Sequence, residues 1–366
     1  MKFKSERDIL VDALSAASRV VATRLIGATS GILLSLNGNQ LTVTGTDLDI
    51  TVRTTVDVIG LDDGSSVVPA RLIVDAVRSL EAGAVTISSS DENVEVSLGR
   101  AKFSLRTFSV MDYPKLPPVT GAVTAVTALD LIQGLNQVVR AAANDDARPL
   151  LTGVLFTTET DALRLIATDS YRLAVRDVPS VRSIGGDHDF LVPARALQEL
   201  QRAAAPLASD AEIGVTLTDA EICFVVGTTS ISSRLIEGNY PSVLQLIPTS
   251  YPNQLRIAKD TLLTSLKRAK LLAKDSTSSV RLTMKDKTVE IRTQSHDAGD
   301  VEDNVDADYS GEEITIAFNP SFLIDGIEAV PGDEVVLEVS DSVRPAMVHG
   351  VEDSRFRYLL MPVRVQ

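Results

Sequence analysis

The 366-residue chain contains one cysteine, three histidines and no tryptophan. A single cysteine excludes an intramolecular disulfide and any cysteine-cluster metal site. The histidines, His188, His296 and His349, lie in "GGDHDF", "TQSHDAG" and "MVHGVED". They form no His-x-x-x-His pair, so zinc has no evident ligand set. Aromatic residues make up only 4% of the chain, too few for a stacking platform along single-stranded nucleic acid. No apolar run approaches the length of a membrane span. The start, MKFKSERDIL, is charged from its second residue and has no apolar signal core. A cytoplasmic location and no membrane partner are therefore expected. The phosphate-cradling patterns G-x-x-x-x-G-K-[ST] and G-x-G-x-x-G are missing, as is the nucleophile elbow G-x-S-x-G. Cys223 sits in the apolar, strand-like run "AEICFVVG", which suits a buried structural thiol better than a nucleophile. No catalytic residue, cofactor or metal is expected. The residue pattern leaves two alternatives open: a metal-dependent hydrolase built on paired carboxylates, and a monomeric scaffold indifferent to DNA.

Positive charge is also scarce, with a formal net charge of −14. The deficit is concentrated. Between residues 297 and 313 stand Asp297, Asp300, Glu302, Asp303, Asp306, Asp308, Glu312 and Glu313, with no Lys or Arg among them. Such a run reads first as a solvated acidic loop.

What is present is a repeat. "VVPARLIVDAVRSL" (67–80) returns as "LVPARALQELQRAA" (191–204), and "FNPSFLIDGIEAV" (318–330) holds the third place. Each predicts a helix with Pro in its first turn, where a missing N–H costs nothing. "LTVTGTDLDITV" (41–52) matches "LRLIATDSYRLAV" (163–175), with "KTVEIRTQS" (287–295) as a weaker third copy. "MDYPKL" (111–116) matches "GNYPSV" (238–243), and "ADYSGE" (307–312) stands as a third echo. A longer amphipathic helix opens each copy, on stripes such as Leu10, Leu14, Ala17, Val21, or Leu131, Leu135, Val138, or Leu262, Leu266, Ala269. Ser5 and Thr127 stand where capping boxes would begin. The period exceeds that of a solenoid unit, so each copy is large enough to own a core. The expected fold class is α+β: three tandem domains, each with two helices packed on antiparallel sheet. Their expected bounds are 1–120, 121–250 and 251–366.

The helices break the acidic rule. Arg71 and Arg78 are seven residues apart, as are Arg195 and Arg202. Two turns place each pair on one face. The third copy has Phe322 and Ala329 there, but its first helix carries Lys259, Lys267, Lys270 and Lys274. A segregated basic face on an acidic body suits a phosphate backbone approached without base reading.

Taken in order, "TGTDLDI" (44–50), "VPAR" (68–71), "LLTGVLF" (150–156), "ATDSYRLAV" (167–175), "GNYP" (238–241), "VRLTM" (280–284), "DADYSGEEITIAFN" (306–319) and "YLLMPVRVQ" (358–366) carry a specific resemblance. Over essentially its full length the chain resembles the bacterial sliding clamps, the beta subunits of DNA polymerase III. The resemblance implies a head-to-tail homodimeric ring of six similar domains, closed around double-stranded DNA and serving as a non-catalytic processivity factor. It implies DNA contacts at Arg24, Arg71, Arg78, Arg148, Arg195 and Arg202. It implies a pocket between the second and third domains for short Leu/Phe peptides. Their sources would be the replicative polymerase alpha subunit, the clamp loader delta subunit, other polymerases and repair proteins. The matching pocket positions are Leu151, Thr168, Ser170, Tyr171, Arg172, Leu173, Pro241, Leu246, Val343, Met361, Pro362, Val363 and Arg364. Arg172 and Arg364 would orient peptide carbonyls or carboxylates. A dimer interface is implied at Arg100, Lys102, Phe103, Leu105 and Arg106, facing Leu271, Leu272, Asp300 and Asp303 of the partner subunit. Three departures stand out. Ser170-Tyr171 replaces a common Gly-His, Gln245 replaces a basic residue, and Pro149-Leu150 replaces an aromatic pair.

Overall fold

In the computed structural model the described residues are 1–21, 27–90, 92–145, 147–159, 162–179, 181, 184, 188–273, 279–295 and 299–364. Among them are six α-helices: α1 (Arg7–Val20), α2 (Ala70–Arg78), α3 (Ala128–Val138), α4 (Ala194–Ala204), α5 (Lys259–Lys270) and α6 (Pro320–Ala329). Six strands matter for function: β1 (Ile50–Asp57), β2 (Ala101–Arg106), β3 (Arg172–Val178), β4 (Thr229–Arg234), β5 (Gly299–Asp306) and β6 (Phe356–Leu360). Other strands are named by their ranges. All strand pairings in the four sheets are antiparallel.

The helices form where the apolar stripes predict. In α1, Leu10, Ala13, Leu14, Ala17 and Val20 are buried on one face, the spacing of a helix lying on a sheet. The helix backbone comes so close to strand Gln40–Thr46 that a Cβ on Gly45 would stand 2.0 Å from the Ala17 carbonyl oxygen, so only glycine fits there. Helix starts differ from the sequence reading. Ser5 belongs to strand Lys2–Glu6 and makes no cap; Glu6 holds the N-cap position without a side-chain bond. Pro69 is the N-cap of α2 rather than a first-turn residue, and Pro193 ends a strand. Only α6 starts as expected, with Pro320 in its first turn and the Asn319 side chain accepting from the Ser321 and Phe322 N–H groups.

The chain divides into two compact units that cut through the middle copy: 1–129 with 195–235, and 130–194 with 236–366. In the first unit, an eight-stranded sheet runs Val123–Thr127, Glu212–Leu217, Glu221–Val226, β4, β1, Gln40–Thr46, Gly31–Asn37, Gly64–Pro69. Its join is β4 on β1, with Ile231 opposite Val52 and Ser230 opposite Arg53. The same unit holds a five-stranded sheet that ends in β2. In the second unit, β3 on β6 joins a nine-stranded sheet, with Ala174 opposite Tyr358 and Leu173 opposite Leu359. A four-stranded sheet there ends in β5. Strand β5 holds Asp300, Glu302, Asp303 and Asp306, so the middle of the acidic run is an edge strand and not a loop; Glu312 and Glu313 lie outside any strand, and Asp297 lies outside the described residues. "ADYSGE" is also not a third echo of the Tyr-Pro segments. Those follow β2 and β4, whereas Asp308–Ser310 is a short strand beside Asn253–Ala258. Among the described residues no helix is long and apolar enough to cross a membrane.

Candidate peptide pocket, basic helices and open strand edges

Five of the proposed pocket positions, 168 and 170–173, lie on or beside one turn in the second unit. Thr168 Oγ1 accepts from the Ser170 N–H (3.1 Å) and donates to the Arg172 carbonyl (2.6 Å). Asp169 Oδ1 accepts from the N–H groups of Tyr171 and Arg172 at 2.9 and 3.0 Å. These bonds hold Ser170 at φ 77°, a left-handed conformation that non-glycine residues rarely adopt. The turn presents Tyr171 outward, 61% exposed, its ring stacked on Phe322 at 6.3 Å between centroids. The Met361 N–H bonds to the Tyr171 carbonyl (2.9 Å), and the Val363 N–H to that of Ala317 (2.8 Å). The C-terminal segment 361–364 is thereby laid against the turn. Leu246, Val343 and Met361 are exposed, and Leu173 is buried in a cluster with Ile166, Val243, Met347 and Leu359. Pro241 and Arg364 are exposed, Pro362 and Val363 half-buried, and Leu151 buried. The hydroxyl oxygens of Tyr240 and Tyr251 are buried in this cluster, and burial pushes both phenols up, that of Tyr251 to about 12.

Arg172 does not fill the role expected of it. Its side chain is 8% exposed and its donors are taken. Nε bonds Asp169 (3.0 Å), Nη1 bonds Asp325 (2.6 Å) and approaches the Tyr358 hydroxyl at 3.5 Å, and Nη2 bonds the Arg140 carbonyl. The guanidinium also lies 4.3 Å from the centroid of Phe322. Burial lowers its pKa, but Tyr358, Asp325 and Asp169 outweigh that and raise it. Arg172 is thus a buried positioning residue, each of its three nitrogens bonded, that locks the turn to α6. Leu173 is likewise pocket floor and core rather than rim.

The arginines on α2 and α4 are exposed as the seven-residue spacing predicts. Arg71 is 3.7 Å from Asp75, and Arg78 donates to Ser15 Oγ at 3.0 Å. Arg195 is tied to Asp47 at 3.0 Å. Arg202 shares the buried Glu199 carboxylate with Arg19, whose Nε is 2.7 Å from it. Sequence reading overlooked Glu199; two arginines spaced for one carboxylate are visible only once α1 and α4 are in place. Arg148 donates to Ser170 Oγ (2.8 Å), so a residue predicted to meet DNA touches the pocket rim. Arg24 and Lys274 lie outside the described residues. On α5, Lys259 caps the end of α6 through the Glu328 and Val330 carbonyls, and Lys267 pairs with Glu328 at 2.9 Å. Lys270 remains exposed.

Strand β2 puts Lys102, Ser104 and Arg106 outward and packs Phe103 and Leu105 on the first core. Lys102 is 2.6 Å from Glu95, and Arg100 is exposed. On β5, Asp300, Glu302 and Asn304 point outward, while Val301, Asp303 and Val305 turn inward. Asp303 is therefore not free for a partner: Arg268 of α5 binds it at 2.5 Å. Leu271 is 70% exposed beyond the end of α5, and Leu272 is half-buried. Among the described residues no group of three or more His, Cys, Asp or Glu is placed to hold a metal.

Three family models cover the chain. The N-terminal domain of the DNA polymerase III beta subunit matches 1–117, its central domain 126–242 and its C-terminal domain 244–364. The beta sliding clamp of Streptomyces coelicolor is 31% identical, and that of Pseudomonas aeruginosa 27%, each over all of both chains. The crystal structure of a DNA polymerase III subunit beta from Bartonella birtlesii, bound to griselimycin, superposes with a TM-score of 0.90 at 28% identity. The DNA polymerase sliding clamp of Bacillus subtilis superposes with a TM-score of 0.87 at 27% identity. Both comparisons cover 100% of each chain.

Proposed function

Because the chain belongs to the family of the DNA polymerase III beta subunit, it is a non-catalytic processivity clamp built of three clamp domains, and we propose that it acts as a cytoplasmic, head-to-tail homodimeric ring around duplex DNA. The proposed domains span 1–120, 121–250 and 251–366. The single observation that carries the ring is the pair of open strand edges, β2 and β5. Both internal junctions are sealed by one strand type pairing with another: β4 with β1, and β6 with β3. By their place in the repeat, β2 corresponds to β4 and β6, and β5 to β1 and β3. Joined to each other across two protomers, the five-stranded and four-stranded sheets make nine strands.

The repeat also supplies a register. Gly99 and Gly227 occupy the same hairpin turn at φ 59° and 56°, which puts Phe103 in the place of Ile231. Val301 stands in the place of Val52. Val301 then faces the partner's Phe103, and Glu302 faces the partner's Lys102. The helices agree. Arg19 and Arg140 bridge the internal junctions to Glu199 and Glu328, and the third residue in that series is the exposed Leu271. Exposed Leu72 of α2 offers it an apolar partner. Apolar contact supplies most of the affinity at such a joint and charge supplies the pairing.

Arg71, Arg78, Arg148, Arg195 and Arg202 are the proposed phosphate contacts, together with Arg24, which lies outside the described residues. The slot around Tyr171, Leu246, Val343 and Met361 is the proposed dock for Leu/Phe peptides of the polymerase alpha subunit, the clamp loader delta subunit and other polymerases and repair proteins. There Arg364 is the remaining cation for peptide carbonyls. The test is topological. Protein loaded on nicked circular DNA is retained and is released when the circle is cut. Equal retention on circular and linear DNA overturns the ring.

A further inference from the structure

The turn that builds the peptide slot occurs twice. In "TGTDLDI" the Thr46 Oγ1 accepts from the Leu48 N–H (3.0 Å) and donates to the Ile50 carbonyl (3.0 Å). Asp47 Oδ1 accepts from the N–H groups of Asp49 (3.1 Å) and Ile50 (2.8 Å). Leu48 is held at φ 82°, as Ser170 is at 77°. The strand joined beside it ends in the same bond. The Arg234 N–H reaches the Asp49 carbonyl at 2.9 Å, and the Met361 N–H reaches that of Tyr171 at 2.9 Å. A tyrosine followed by proline closes each arrangement, the buried Tyr113 with Pro114 in one and the half-buried Tyr240 with Pro241 in the other. Between the turn at 46–50, the segment 114–119 and the outer face of β4 is a cleft of about 530 Å³, within the range of ligand pockets.

Leu48 lines this cleft. A bulky side chain at positive φ is strained, and this one is also 48% exposed. Neither its conformation nor its position benefits the core. Across the cleft Val225 is exposed too, and Pro114 to Val119 supply an apolar wall. Arg53 fixes that wall by donating to the Leu116 carbonyl at 3.0 Å. The chemistry then departs from the slot at 361–364. Asp49 stands where that slot has Tyr171, and Arg234 where it has Met361. The cations of the cleft are Arg53, Lys115 and Arg234; its carboxylates are Asp49 and Glu221. Arg234 is only loosely held, 3.9 Å from Asp49. The cleft is thus net positive within a chain of net charge −14.

We propose that this cleft is a second docking site, for a short extended peptide of a partner protein that carries a carboxylate beside an aliphatic anchor. The anchor lies on Leu48, Val225 and the 114–119 wall, and the carboxylate meets Arg234 and Lys115. The proposal rests on reading the 361–364 slot as a peptide dock, so the test separates the two. Full-length protein is irradiated with two benzophenone-tagged nonapeptides, one with a leucine flanked by glutamates and one with Leu and Phe and no charge, and adducts are mapped by mass spectrometry. The acidic probe is expected to label 114–119 or 225–234, and to lose about tenfold in labelling in Arg234→Glu and Leu48→Gly, the loss of one anchoring contact. Glycine accepts the positive φ, so Leu48→Gly folds, and its thermal midpoint reports that directly. Acidic-probe adducts confined to 171–173 or 361–364, or labelling unchanged in both variants, overturn the second site. Failure of the uncharged probe at 361–364 overturns the first reading instead.

Discussion

At the scale of single residues, the second unit is pinned by buried ion pairs. Arg172 is one; the other is Arg176 with Asp353 (2.7 Å), which also receives Arg355 at 2.7 Å. Burial pushes the Asp353 carboxyl up, but hydrogen bonds from Arg355 and Arg176 outweigh it and hold it well below the usual carboxylate range. A depressed carboxylate stabilises the fold fully above its unfolded pKa of about 4, and that contribution fades as pH falls below this toward the folded value. Asp353→Asn leaves the buried Arg176 uncompensated, so it is expected to cost about 3 kcal/mol at pH 7. Thermal melts of both proteins should show the gap narrowing as pH drops below about 4; a gap that is constant with pH contradicts the pairing.

At the scale of elements, the composition of the outer faces of β2 and β5 argues for the proposed register. Lys102 and Arg106 line one, Asp300 and Glu302 the other. Exposed pairs contribute up to about 1 kcal/mol, so Glu302→Lys is expected to raise the dimer Kd by about three- to tenfold. Adding Lys102→Glu should restore dimerisation, read by light scattering across a dilution series. No recovery in the double variant means the strands pair in another register. Much at this scale was legible in the sequence. Apolar stripes locate α1, α3 and α5, the Pro-led repeat locates α2, α4 and α6, and the seven-residue arginine spacing locates an exposed face. The acidic run was misread as a loop, because charge alternating with Val301 and Val305 looks like solvated chain until a neighbouring strand is known. Arg172 was misread because its partners Asp325 and Tyr358 lie more than 150 residues away, beyond any local pattern.

At the scale of the whole molecule, the triple repeat and the family were readable, since motif order and spacing survive where single positions drift. The compact units were not, because each internal junction makes one sheet from strands of two repeats. The basic face predicts weak, sequence-blind attraction: binding to linear duplex should fall steeply with salt, as phosphate contacts release counterions. On a closed circle, retention should change little between about 50 and about 200 mM salt, because escape from the proposed ring would require parting a protein joint. Salt-sensitive lifetimes on circles, matching those on linear DNA, contradict that.

The two open edges have one more consequence. They are complementary but unlike, so nothing in either end stops a further copy from adding. In the proposed pairing, a joint that did not close on the second copy would grow into longer polymers, and a lone protomer carries two exposed templates for unwanted strand addition. Concentrated solutions of variants whose proposed joint is weakened are where fibres or precipitate should first be seen.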